Sequence, residues 1–223
     1  MIRTLEPEEL DHLPADHPAA IASRHDLARI NAIMRQPAIL ARALRDFPQP
    51  RVLMDLGGGD GRCLLAAARR LPWRGVTAII ADRQDIVTAK TRDGFAALGW
   101  DCVVQQGDVF DAMVDLEAET LVTANLFLHH LDDAALTLLF AVVAERAAGL
   151  VACEPRRGPF AFFASHLVVA LGANRVTRHD AVASVRAGFA GQELSALSPP
   201  GWARVERRAL PFSHLFVGRR HAL

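Results

Sequence analysis

Lysine and tyrosine are what this 223-residue chain most conspicuously lacks: Lys90 is the one lysine and there is no tyrosine. Nearly all of the 25 basic charges are therefore arginine, and 25 acidic residues cancel them. A chain without net charge carries no electrostatic footprint for nucleic acid, so nucleic acid is not an expected partner. The richness in arginine and alanine reads as GC-rich coding, not as phosphate binding. Cysteine is scarce too. Cys63, Cys102 and Cys153 are an odd number, widely spaced, and have no metal-ligand spacing. That pattern predicts reduced thiols, a cytoplasmic setting and no metal centre. Long apolar runs are missing as well. The longest, Phe160 to Ala173, is interrupted by Ser165 and His166 and is too short to span a bilayer. Met1 to Glu9 holds three glutamates and no apolar core, which excludes a signal peptide in this stretch. What remains is a chain 51% hydrophobic, without repeats or low-complexity linkers and long enough for one sizeable core.

The organising stretch is Arg51 to Arg62. An apolar run ends in Asp55, the glycines Gly57, Gly58, Gly59 and Gly61 follow, and a helix with Leu64, Ala67, Ala68 and Leu71 at helical spacing opens at once. A strand feeding a glycine turn at a helix N-terminus is the opening unit of a doubly wound nucleotide-binding sheet. The dinucleotide fingerprint needs its third glycine at position 62, where Arg62 stands. Asp60 within the turn, with no lysine, is also unfavourable for phosphate. A ligand with a carboxylate, an amine and a nucleoside fits better.

Asp55 to Gly61 match in full the Asp/Glu-x-Gly-x-Gly-x-Gly motif, and the chain thereby resembles class I S-adenosylmethionine-dependent methyltransferases of the bacterial small-molecule type. The resemblance covers about residues 48 to 219. A second strand, Val76 to Asp82, ends in an acid 27 positions beyond Asp55. A carboxylate there accepts ribose hydroxyls in such sheets, although an acid at this place also caps helices, and Gln84 to Leu98 reads as helical. Asp82, with Arg83 beside it, is the expected ribose site. A third strand, Asp101 to Gln106, leads to Gly107-Asp108-Val109-Phe110, which resembles the third motif of the family. The resemblance implies that Asp108 takes the adenine amino group, with Val109 and Phe110 against the base. After the fourth strand, Thr120 to Asn125, comes Leu128-His129-His130-Leu131, similar to the family's segment at the reacting end of the pocket. Asn125 is then a cofactor contact, and His129 and His130 are the catalytic candidates; a purely structural role for the histidines stays open.

The fold class that follows is α/β: a doubly wound, mostly parallel seven-stranded sheet with helices on both faces and an antiparallel last strand. Residues 1–47 form an N-terminal helical cap, in which Ile21, Leu27, Ile30 and Met34 make the apolar face and Pro37 breaks the helix. Arg29 and Asn31 are expected toward the pocket if the cap is a lid. Residues 48–223 form the Rossmann-like domain, with a helical insertion at about 155–201. There Asp180 caps a helix, Gly191 stops it, and Phe160 to Leu171 supply apolar walls. The cofactor implied is S-adenosyl-L-methionine. The partner is a small, largely apolar acceptor such as a phenol, an enol or a polyketide-like molecule, methylated on oxygen or carbon. A homodimer is compatible with the sequence. The competing readings are an NAD-dependent oxidoreductase and a cofactor-binding protein without turnover.

Overall fold

The computed structural model describes residues 1–114 and 116–220. Seven strands, β1 (Val52–Leu56), β2 (Thr77–Asp82), β3 (Asp101–Gln106), β4 (Thr120–Asn125), β5 (Gly149–Pro155), β6 (Ala203–Ala209) and β7 (Ser213–Arg219), form one sheet. Their order is β3-β2-β1-β4-β5-β7-β6. The first five run parallel, and β7 is antiparallel to both β5 and β6. The expected sheet, with its antiparallel last strand, is thus the observed one. The chain leaves β1 toward β2 on one side and returns to β4 on the other, so the carboxyl ends of β1 and β4 flank the switch point where ligands sit in such sheets.

Nine α-helices are described: α1 (Pro18–Ile33), α2 (Gln36–Leu44), α3 (Arg62–Ala68), α4 (Ala89–Ala96), α5 (Val109–Ala112), α6 (Asp133–Arg146), α7 (Pro159–His166), α8 (Arg175–Ala187) and α9 (Glu193–Leu197). They cover the two faces of the sheet. On one face Leu40, Leu44, Leu64, Phe95 and Trp100 pack against β-strand residues such as Leu53 and Ile80. On the other, Leu136, Leu139, Phe140 and Val143 of α6 pack with Trp202 and Phe216. Every residue of β5 is buried, as a central strand covered on both faces requires.

Several local expectations give way to tertiary structure. The break between α1 and α2 falls at Arg35, whose left-handed φ of 58° ends the helical run, and Pro37 sits in the first turn of α2, where a missing N–H costs nothing. The face that α1 buries is Ala20, Ser23 and Asp26, while Ile21 is exposed. Polar bonding across to α8 selects that face: Ser23 Oγ meets Thr177 Oγ1 at 2.8 Å, and Asp26 accepts from the Asn174 N–H at 2.8 Å. Helix α4 begins only at Ala89, capped by Thr88. Asp82 is therefore not its cap. Asp180 lies inside α8, which Asn174 caps and which ends at Gly188, not Gly191. Its buried carboxylate instead accepts the N–H groups of Glu9 and Leu10 at 2.8 and 3.0 Å, tying down the N-terminal segment.

Candidate functional site

The turn after β1 is held by its own backbone. The N–H groups of Gly57 and Gly58 both point to the Ala81 carbonyl at the end of β2. Gly57 has φ +63°, and a Cβ there would meet the Phe127 ring at 2.3 Å. Gly59 has φ +56° but open space on its Cβ side, so only the backbone conformation disfavours a side chain there. Gly61, also left-handed, starts α3. Gly58 faces inward toward Ile80 and the Asp55 carboxylate. Asp55 itself is 2% exposed and accepts from Thr123 Oγ1 at 2.7 Å. Burial pushes its pKa up to about 7; the Thr123 bond opposes the rise and the nearby Asp82 charge adds to it. Asp55 thus lies beneath the turn, against Gly58 and Thr123.

Asp82 closes the turn from β2. Its Oδ2 accepts the Gly59 N–H at 2.9 Å and its Oδ1 the Gln84 N–H at 3.0 Å. Arg83 is largely exposed and approaches the half-exposed Asp108 at 3.9 Å, so the ends of β2 and β3 share one rim. Asp108 caps α5 through the Phe110 N–H at 2.9 Å, while Val109 is buried and Phe110 half-buried. Across the switch point, Asn125 ends β4 with its Oδ1 buried and unpaired. Such an acceptor costs about 1–3 kcal/mol, a cost that a ligand donor would remove.

Leu126, at φ +55°, then turns the chain, and a 3-10 turn, Leu128–His130, follows. The group that holds this loop is Glu154, fully buried at the end of β5. Its Oε1 accepts the N–H groups of Phe127 and Leu128 at 3.1 and 3.0 Å. Its Oε2 meets the His129 N–H at 3.3 Å and His129 Nδ1 at 2.8 Å. The other ring nitrogen, Nε2, lies 3.3 Å from Glu8, which the N-terminal segment delivers from 121 residues away. Burial works against charge on His129, but the bonds to Glu154 and Glu8 prevail and raise its pKa to about 9. His130 lies beside it, with ring centres 4.2 Å apart and planes tilted by 36°, and its Nδ1 lies 3.4 Å from Asp11. Burial and then the positive charge of His129 lower the His130 pKa. Two neighbouring imidazoles are thereby driven to opposite states, His129 cationic and His130 neutral near pH 7.

Arg3 locks the same loop from outside, donating to the Leu131 carbonyl at 2.6 Å and to Asp133 at 3.0 Å. Glu8, Asp11, Arg3 and Glu154 all escaped sequence reasoning. Glu154 alone had a local signal, as an acid at a strand's carboxyl end like Asp55 and Asp82. Ligand atoms of Glu8, His129 and His130 lie within 4.8 Å of one another. Within that group Nδ1 of His129 is held by Glu154, so only its Nε2 faces Glu8 and His130.

Helix α1 borders the outer side of the glycine turn. There Arg62 donates to the Arg24 carbonyl at 3.2 Å, and a cavity of about 510 Å³ is lined by Arg24, His25, Asp60, Arg62, Lys90 and Thr91 among others. A second cavity, of about 380 Å³, includes Arg29, which pairs with Asp26. Neither cavity touches Asp82, Asn125 or His129. The chemistry-bearing groups instead meet at the strand ends, where Phe127 lies against Gly57. The apolar segment expected to wall the pocket is turned outward: Phe160, Phe163, Leu167, Val169 and Leu171 are exposed.

No protein-family model matches this sequence, and no curated protein matches it either. Solved structures do. The plantazolicin methyltransferase BpumL, in complex with a monoazolic desmethylPZN analog and SAH, superposes with a TM-score of 0.66 at 10% identity, over 92% of this chain and 91% of that one. An O-methyltransferase family protein from Burkholderia thailandensis gives 0.59 at 18% identity, over 92% and 60%. The mitomycin 7-O-methyltransferase MmcR gives 0.61 at 17% identity, over 95% and 60%. The fold is the class I methyltransferase fold. The chain spans about 60% of the length of the latter two proteins.

Proposed function

We infer that this protein transfers a methyl group from S-adenosyl-L-methionine to a small, largely apolar acceptor, on oxygen or an activated carbon. When bound, that cofactor supplies an electrophilic methyl on a sulfonium. The carrying observation is what stands at the carboxyl ends of neighbouring strands: open space over Gly59 after β1, the Asp82 carboxylate at the end of β2, and the unpaired Asn125 Oδ1 at the end of β4. In this reading Asp82 accepts the ribose hydroxyls, Asn125 accepts a donor of the cofactor, and Asp108, Val109 and Phe110 with Arg83 form the base-binding rim. The glycine turn gives the backbone close approach. The SAH seen in BpumL supports the same cofactor choice.

The two histidines divide the acceptor's proton chemistry. His130, neutral and 26% exposed, takes the proton from an acceptor hydroxyl or enol. His129, cationic between Glu154 and Glu8, lies beside His130 and helps to keep it neutral. In-line displacement then needs orientation and exclusion of water. The test is calorimetry with S-adenosylhomocysteine and NAD, followed by turnover of a phenol and polyketide-like panel with labelled cofactor. Binding of S-adenosylhomocysteine without NAD is expected, with His130→Ala lowering turnover about 10²–10⁴-fold at unchanged cofactor affinity. Binding of NAD alone overturns the reading, and parental turnover of His130→Ala removes its role as base.

A further inference from the structure

Helix α7 shows the wrong side to water. Phe160, Phe163 and Leu167 recur three and four residues apart and so share one side, yet they are 63%, 63% and 51% exposed. The small residues Ala161 and Ser165 take the buried positions. The following 3-10 turn, Leu167–Leu171, leaves Val169 and Leu171 exposed as well. Phe212 stacks on Phe160 at 5.5 Å and carries the apolar surface toward Leu210, which is 75% exposed. An apolar surface of this extent on one element marks an interaction face.

Its charge says what kind. From Pro155 to His179 the chain has four arginines and neither aspartate nor glutamate, although 25 acids spread over 223 residues would put nearly three in a stretch that long. Arg157 is buried against Glu193. Arg175 and Arg178 stand exposed on the first turn of α8, just past the apolar tip; Arg178 donates to the carbonyl of Asn174, the residue that caps its own helix, and Arg175 meets Glu9 at 3.4 Å while remaining 85% exposed. Among the described residues no helix is long and apolar enough to cross a membrane.

We propose that this tip docks on the surface of an anionic lipid bilayer, with Phe160, Phe163, Leu167, Val169 and Leu171 entering the interface and Arg175 and Arg178 facing the headgroups. Aromatic and aliphatic side chains on one face, flanked by arginine, are the chemistry of an interfacial helix. A second copy fits the face less well, since the same stretch of a partner would offer the arginines no acidic residue. The inference stands apart from the methyl-transfer reading, though an apolar acceptor would itself partition into a bilayer.

The test is co-sedimentation of the full chain with vesicles of phosphatidylcholine, alone or mixed with phosphatidylglycerol. Binding to the mixed vesicles, weakened by salt, is expected, with little to the neutral ones. F160S/F163S and R175E/R178E should each weaken it by about tenfold or more with unchanged melting, while Leu138→Ser, exposed elsewhere, should bind as the parent does. No binding to mixed vesicles, or equal binding by parent and variants, overturns the proposal. So does concentration-dependent dimerisation that F160S/F163S abolishes, which would make the face a contact between copies.

Discussion

The two sides of the switch point are built by different means. The glycine turn is fixed by its neighbours: Ala81 and Asp82, at the end of the adjacent strand, hold Gly57, Gly58 and Gly59 through their N–H groups. The histidine loop is fixed from afar, by Glu154 at the end of β5 and by Arg3, Glu8 and Asp11 of the N-terminal segment. The first side holds a shape ready for a ligand. The second holds a charge pattern, two imidazoles in opposite protonation states, that lasts only while distant carboxylates stay in place. Damage to the second side should therefore appear first as lost stability, and damage to the first as lost binding.

The largest effect expected is at Glu154. Replacing it with Ala strips three backbone N–H groups and His129 of their acceptor and leaves a buried imidazolium with half its partners. Breaking a buried ionic pair in this way costs about 3–5 kcal/mol, read as a lower urea midpoint with unchanged slope. A loss below about 1 kcal/mol would mean that the loop stands without it and that the contrast between the two sides is wrong.

Asp82→Ala is the matching change on the other side. Its two backbone bonds are part-buried, so stability should fall by only about 1 kcal/mol. Affinity for S-adenosylhomocysteine should fall roughly ten- to a hundredfold, as losing a bidentate acceptor costs about 1–3 kcal/mol. Calorimetry decides: parental affinity would reduce Asp82 to a brace for Gly59.

This contrast also explains what the sequence revealed. The strand ends, the glycine turn and Asp82 were legible because their geometry follows from residues a few positions apart or from one strand-turn-helix unit. In helix α1 the apolar positions Leu27, Ile30 and Met34 are half-buried and Ile21 is exposed. Ser23 and Asp26 go deeper, since α8 offers Thr177 and Asn174 to pair with them. Asp180 looked like a cap because a cap is the commonest local use of an aspartate, whereas its partners Glu9 and Leu10 lie 171 and 170 residues away. Periodicity cannot announce a bond of that range. The outward turn of Phe160 and Phe163 was hidden for a related reason: an apolar stripe at helical spacing says that one side is apolar, not which side meets the body.

The smallest of these effects is at Glu8, and it tests whether the histidine loop's charge pattern is real. His129 faces Glu154 and Glu8, with His130 and its partner Asp11 alongside and Arg3 reaching the backbone of the loop. Its pKa rises from 6.5 to about 9 on folding, so the stability it contributes is fully present below pH 6.5 and lost as pH climbs through about 9. Burial resists the ionisation of Glu8, but His129 outweighs that and holds its carboxyl below the usual range, so the pair's contribution also fades in acid as Glu8 protonates. Glu8→Gln keeps the shape and removes the charge. Melting should show the variant less stable by about 1 kcal/mol near neutral pH. The difference should narrow above pH 9, where His129 has lost its proton in the parent too, and again in acid below the range where Glu8 ionises. Parallel melting curves for parent and variant across the whole pH range would mean that the Glu8–His129 contact carries no charge, and the division of labour between His129 and His130 would fall with it.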